Sequence, residues 1–471
     1  MRTAYTKHLT KRIGAAGDRL RADLRLAWLL TRGSDRREWW RVLLTGVGAA
    51  LATEFGLVIA VLLTMDGQYS VSVGAGLLDQ PGTRAGVIVA LLLLFIPVLG
   101  FLGQCARIGA VHRDRRLAGL RLAGATPGQV RRIAALESGL ACLAGSAVAT
   151  VFSALSLLRL WSRPTPLAWA LVALVAVGVP VLGAAVSALA LRRVVASPLG
   201  WIRRVRPARR PGRIFRLATA LLALVVLEAL TTPFHRAPFE PTLVPLTVFA
   251  ACLLVGAAAV WLSGASARQL GEGLTGRATS PAVLIAAARL RDDPWASART
   301  HAAVLLVTVV GSGFMGVRAV FLTALYAQDR AGRLGMGVSY YTTGIDLTGA
   351  AILVALGLVL VGLAVGTAES LATRRRGLAA QTAAGVPRAV LIRATLLETA
   401  LPLAPALAVA GIGGMAISAW YASVDTEYGT HDVPYSALLV PPAVYACCLL
   451  AAATSLPLLR RSLNPAELRY A

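Results

Sequence analysis

The chain has 471 residues, 57% of them hydrophobic, with a mean hydropathy of +0.69; this excludes an ordinary soluble domain and points to a membrane protein. Its 47 Lys and Arg against 22 Asp and Glu give a formal net charge of +25, which in a soluble chain would raise nucleic-acid binding. The placement of those charges decides between the two readings.

In chain order, residues 1–40 form a basic tail in which Leu20, Leu24, Ala27 and Trp28 share one helical face while Arg19, Arg21 and Arg25 occupy others. An amphipathic helix lying at the membrane interface is expected there. The tail has no apolar h-region or small-residue cleavage site, so the first span is expected to remain as an uncleaved anchor. Ten apolar runs long enough to cross a roughly 30 Å hydrocarbon core as helices follow. They lie near 42–65, 85–105, 133–158, 166–190, 217–233, 242–263, 301–325, 346–367, 391–421 and 434–458. The fifth is short, and the ninth has room for a helical lead-in outside the bilayer or for a kink.

With the odd-numbered spans running outward, 40 of the 47 basic residues fall on one side, and only Arg84, Arg159, Arg163, Arg236, Arg318, Arg330 and Arg333 on the other. The positive-inside rule then places both termini in the cytoplasm of a multi-pass protein of a bacterial-type plasma membrane. The charge is topological, and nucleic acid is not an expected partner; membrane lipids are. Cys105, Cys142, Cys252, Cys447 and Cys448 sit in or beside apolar runs without metal-ligand spacing and read as small buried hydrophobes. The longest outer loops, Asp66 to Arg84 and Tyr326 to Ile345, are too short to bury a core of their own.

One stretch is written twice. "RRLAGLRLAGATPGQVRRIAALES" from Arg115 returns as "RRRGLAAQTAAGVPRAVLIRATLLET". A shift of 261 positions pairs Arg115 with Arg376, Leu117 with Leu378, Gly124 with Gly385, Arg132 with Arg393 and Glu137 with Glu398 without a gap. A second echo closes each half, "LRRVVASPLGWIRR" from Leu191 and "LRRSLNPAELRYA" from Leu459. The expected architecture is an all-α polytopic membrane protein of about ten spans: two parallel four-helix repeats with a two-helix insert. Its parts are the tail (1–40), a first module (41–212), the insert (213–265), a cytosolic linker (266–299) and a second module (300–471).

Local chemistry predicts a short helix from Arg113 to Ala123, ended by Gly124 in a left-handed conformation. Thr126, Pro127 and Gln129 then read as N-cap, first and third residues of a capped helix entering the bilayer. Gly385 and Pro387 supply the same stop and start in the second copy. Glu137 and Glu398 each follow their glycine by thirteen residues. Each carboxylate either gains from a helix N-terminus or pairs with Arg132 or Arg393, or else it couples movement.

A basic run, a leucine-bearing short helix, "LAGAT" and a membrane-entering helix with a glutamate, present once per half, resemble the FtsX-like permease domain of ABC transporters. The ten-span plan is similar to the bacitracin-export type. The resemblance implies that the short helices dock on an ATP-binding subunit through Arg115, Leu117, Leu120, Arg121 and Gly124, and through Arg376, Leu378 and Gly385. Two docks imply two ATPase copies, with ATP and magnesium bound there and no cofactor in this chain. Arg116 and Gly377 stand where family members commonly carry an acidic residue, and the large outer domain of many members is missing here.

Enzymatic readings find little purchase. A P-loop needs lysine followed by Ser or Thr, whereas the only lysines are Lys7, followed by His8, and Lys11, followed by Arg12. An intramembrane serine protease could use Ser312 of "GSG", but His8, His112, His235, His301 and His431 fall in tails, loops or span edges. Small residues there suit helix packing. A secondary transporter would draw on Glu54, Glu228 and Arg318, the ionisable residues inside apolar runs. Glu54, near mid-span, is the candidate for the translocation route or for a helix-to-helix hydrogen bond. The expected function is the permease subunit of an ABC transporter exporting or extracting a hydrophobic or amphipathic compound such as a lipid, peptide or antibiotic. Secondary transport and mechanical signalling without translocation are the alternatives.

Overall fold

The computed structural model describes residues 22–23, 25, 29, 36–65, 67, 78–79, 81–105, 119–161, 164–190, 220, 243–335, 337–424 and 435–457. Among the described residues all regular structure is helical, and nine helices are long and apolar enough to span a membrane. The protein is an all-α polytopic membrane protein. The expected fifth span at 217–233, Glu228, the echo that closes each module, and Arg115 and Leu117 lie outside the described residues, as does the side chain of Arg376.

Among the described residues eleven α-helices carry the fold: α1 (Arg36–Leu63), α2 (Pro81–Cys105), α3 (Pro127–Leu160), α4 (Pro166–Ala190), α5 (Leu243–Thr275), α6 (Pro281–Asp292), α7 (Pro294–Arg330), α8 (Val338–Thr373), α9 (Arg375–Ala383), α10 (Arg388–Val424) and α11 (Val440–Ala453). Proline opens α2, α3, α4, α6 and α7, where its missing N–H is no loss and its fixed φ suits the first turn. Helices α3, α7, α8 and α10 have 34, 37, 36 and 37 residues, against the roughly 20 that a bilayer core needs. Each therefore projects beyond the hydrocarbon by several turns.

Packing divides the chain into two compact units, residues 1–64 with 105–205 and residues 65–104 with 206–471. In the first unit, α1, α3 and α4 pack together through small residues. Gly145 of α3 lies so close to α1 that a Cβ there would fall 1.9 Å from the Gly46 carbonyl oxygen. Gly183 of α4 meets the Cys142 sulfur of α3 in the same way, at 2.6 Å from a notional Cβ. Close backbone approach at glycine is how helices associate when lipid removes the hydrophobic driving force.

In the second unit, α7 and α10 form the central contact, and α5 packs on both. A Cβ on Gly414 of α10 would stand 2.5 Å from the Val309 carbonyl oxygen of α7 and 2.8 Å from Ser312 Cβ, so Ser312 lies in a helix-packing seam. Residues 65–104, read as part of the first module, pack within the second unit, where Gly100 of α2 faces Ala303 of α7. The stretch 266–299, read as a linker, is almost wholly helical: α5 continues to Thr275, and α6 buries Ala282, Ala286, Ala287 and Leu290. Its apolar stripe is too short to register as a span yet long enough to fold down on α5 and α10.

The loop read as Tyr326 to Ile345 is also mostly helix, because α7 runs to Arg330 and α8 begins at Val338. At that end Arg318 lies 3.7 Å from Asp346, an exposed pair that contributes little.

Candidate functional site

The repeated segment folds as the same turn twice. In the first copy a short helix ends at 122, Gly124 takes φ 96°, and two backbone bonds close the end: the Gly124 N–H donates to Arg121 O and the Ala125 N–H to Leu120 O. In the second, Gly385 takes φ 89°, its N–H donates to Thr382 O, and the Val386 N–H donates to Gln381 O. This is the Schellman pattern, which needs a residue without a Cβ at the left-handed position. The residues after each glycine pack back on the next helix. Leu120 and Ala125 cover Val130 and Ala134, while Val386 joins Leu371, Leu378 and Leu391.

The two helices that follow start differently. Thr126 caps α3 by accepting from the Gln129 N–H at 3.2 Å, with Pro127 in the first helical position. Gln129 does not complete a capping box; its Nε2 donates instead to Asp23 Oδ1 at 3.3 Å. In the second copy α10 begins at Arg388, so Pro387 stands one place before the helix, and its carbonyl accepts from Val390 N–H.

The anchors differ more. Asp23, only 3% exposed, also takes the Arg132 Nε at 3.0 Å, so the N-terminal tail is pinned to the start of α3. Around the second turn Glu398 Oε1 accepts from Arg374 Nη1 at 2.7 Å, and Oε2 from Arg289 Nη1 at 3.3 Å. Arg374 caps the N-terminus of α9, Arg289 belongs to α6 and Glu398 to α10, so one carboxylate joins the short helix, the former linker and a membrane helix. Pairing with Arg132 or Arg393 was one of the alternatives that the sequence left open for these glutamates; Arg132 bonds Asp23, and Glu398 bonds Arg289 and Arg374. Glu137 lies 2% exposed on the buried stripe of α3 beside Ile133, Ala134 and Ala141.

A profile of the FtsX-like permease C-terminal domain matches residues 87–199 and 349–463, so each match contains one copy of the turn and its glutamate. Each matched stretch is an FtsX-like permease domain. This family supplies membrane subunits of ABC transporters, which work with separate ATP-binding subunits. No curated protein matches the chain. Asp23 and Arg289, which anchor the two turns of this FtsX-like permease, both lie outside the matched regions.

The remaining sequence candidates fall in distinct settings. Leu378 is 1% exposed and sits in the core with Leu371 and Leu391, so it holds the turn from within and is not a free docking face. Among the described residues of the first short helix, the exposed large apolar side chain is Leu122, 77% accessible, and its repeat equivalent is the exposed Ala383. Sequence reasoning missed both, although Leu122 falls on the helix side opposite Leu120 and could have been read from that spacing. Arg121 is half-buried, and its Nη1 has no hydrogen-bond partner among the described residues. Glu54 of α1 accepts from Ser153 Oγ of α3 at 2.8 Å, a polar bond between two packed spans. His301 of α7, 2% exposed, has an Nδ1 without a hydrogen-bond partner among the described residues.

Proposed function

We propose that this permease couples ATP hydrolysis on two copies of a separate ATP-binding subunit to the export or extraction of a hydrophobic or amphipathic substrate. The observation that carries this reading is the duplicated turn. The same glycine-closed helix end occurs twice, each time feeding directly into a long helix that continues through a membrane span. A push on either short helix therefore reaches the bilayer through continuous backbone. Both turns lie where the basic residues concentrate, which the positive-inside rule assigns to the cytoplasm together with both termini.

Leu122 and the exposed alanines Ala383 and Ala384 form the docking faces, with Gly124 and Gly385 as the stops that set their angle. Arg121, Arg374 and Glu398 position them. ATP and magnesium bind on the partner, since neither lysine of this chain is followed by Ser or Thr. Glu54, bonded to Ser153 within the span, is the polar group offered to the translocation route.

The test is reconstitution of the full chain with its ATP-binding subunit in lipid nanodiscs, reading subunit ratio and ATP turnover. Two ATPase copies per chain, and hydrolysis that requires the ATPase subunit, are expected. One copy, no association, or hydrolysis by the chain alone would overturn the reading.

A further inference from the structure

Beneath the second turn lies a cavity walled by α6, α7, α8 and α10, with Leu378 of α9 at its edge. Three features of its wall stand out. The first is charge. Arg289, Arg374, Glu398 and Asp293 line it, and Asp293 is matched by Arg299 at 3.0 Å, so two guanidinium groups share one carboxylate and one positive charge is left over. Each guanidinium gives Glu398 one of its five N–H donors, leaving a fork on each for another acceptor.

The second feature is His301, which lines the same cavity, is almost fully buried, and has an Nδ1 with no hydrogen-bond partner among the described residues. A buried polar atom left unsatisfied is costly, and a bound group would relieve it. The hydroxyl groups of Ser297 and Thr367 stand on the wall as well; they now donate within their own helices, at 2.9 and 2.8 Å, and a hydroxyl hydrogen can rotate toward a ligand. The third is place: α7, α8 and α10, which wall the cavity, each continue as a membrane span, and the buried Leu363 and Leu371 form its apolar side.

We infer that the cavity is a site for a phosphate group carried by an anionic lipid headgroup. Guanidinium forks match phosphate oxygens in geometry and charge, and basic pockets between membrane helices suit such headgroups. His301 Nδ1–H and the two hydroxyl groups complete the donor set. Nothing in this site depends on an ATPase, so lipid binding and coupling can fail separately.

The experiment is a titration of the purified full chain in detergent, following its thermal unfolding with phosphatidylglycerol, phosphatidylcholine and inorganic phosphate in parallel. A saturable rise with phosphatidylglycerol alone is expected. Arg289→Gln and His301→Phe should each raise the half-saturating lipid concentration by about tenfold, as loss of one hydrogen bond to a charged group implies. His301→Phe leaves the three-residue ion cluster intact, so it decides the matter if the arginine variant fails to fold. An equal rise with inorganic phosphate would assign the site to soluble phosphate and overturn the lipid source. An equal rise with phosphatidylcholine, or unchanged half-saturation in a folded His301→Phe, would overturn the site.

Discussion

The first and second turns have the same backbone and, among the described residues, different moorings. Both end a short helix with a glycine at positive φ and the same pair of backbone bonds. The first is tied by Asp23, which reaches from the N-terminal tail to Gln129 and Arg132. The second is tied by Glu398, held by Arg289 from α6 and by Arg374 at the head of α9. Asp23 and Arg289 lie outside the duplicated stretch, whereas Glu398 has its repeat counterpart in Glu137. A shared turn with separate anchors lets two equivalent docks differ in stiffness.

The largest break in that contrast should come from Glu398→Ala. Removing a half-buried carboxylate leaves two guanidinium groups facing each other, and about 2 kcal/mol of local stability should go with it. Hydrogen exchange over residues 375–391 should quicken while residues 119–134 keep their protection; equal loss in both would mean that the anchors are not separate.

Next come Gly124→Val and Gly385→Val. A Cβ at either position would meet nothing within 4 Å, so the penalty is that of the left-handed backbone, on the order of 1–2 kcal/mol. The two variants should lower coupled ATP turnover to a similar degree in the reconstituted complex. Unequal losses would show that the turns are not equivalent despite their matching bonds.

A smaller effect is expected from Asp23→Ala, which frees Gln129 and Arg132 at the start of α3 for about 1 kcal/mol. It should speed exchange only around residues 127–134, and a change in the second turn would contradict independent mooring.

Smallest for the fold, and most telling for the docks, is Leu122→Asp. An exposed position should shift the unfolding free energy by less than about 0.5 kcal/mol. Affinity for the ATP-binding subunit should nonetheless fall, as measured by co-purification against Ala383→Asp in the second copy. Full retention by Leu122→Asp would remove the proposed face of the first dock.

Some of this was written in the sequence in a form that physics makes hard to misread. Apolar runs of membrane length and a one-sided arginine distribution mark the spans; glycine at the helix stop and Thr-Pro at the next start mark the turn, because few other residues tolerate those backbone states. The gap-free pairing at 261 positions likewise marked Glu137 and Glu398 as equivalent.

What the tertiary structure alone decided is which side chains meet. Arg393 lies five residues from Glu398 on the same helix, where the i,i+3 and i,i+4 neighbours would face it better, and the carboxylate takes Arg289, 109 residues away, and Arg374, 24 away. Asp23 finds Arg132 across a similar distance in sequence. Leu378, a docking residue by the family resemblance, sits in the core because α8 and α10 close over it. The segment 266–299 carries no run of span length, and only its folding against α5 and α10 makes it the helix that brings Arg289 to Glu398. Periodicity and turn chemistry are local properties that each stretch states for itself; an ion pair depends on which helix faces arrive together, and that is settled by packing the whole unit.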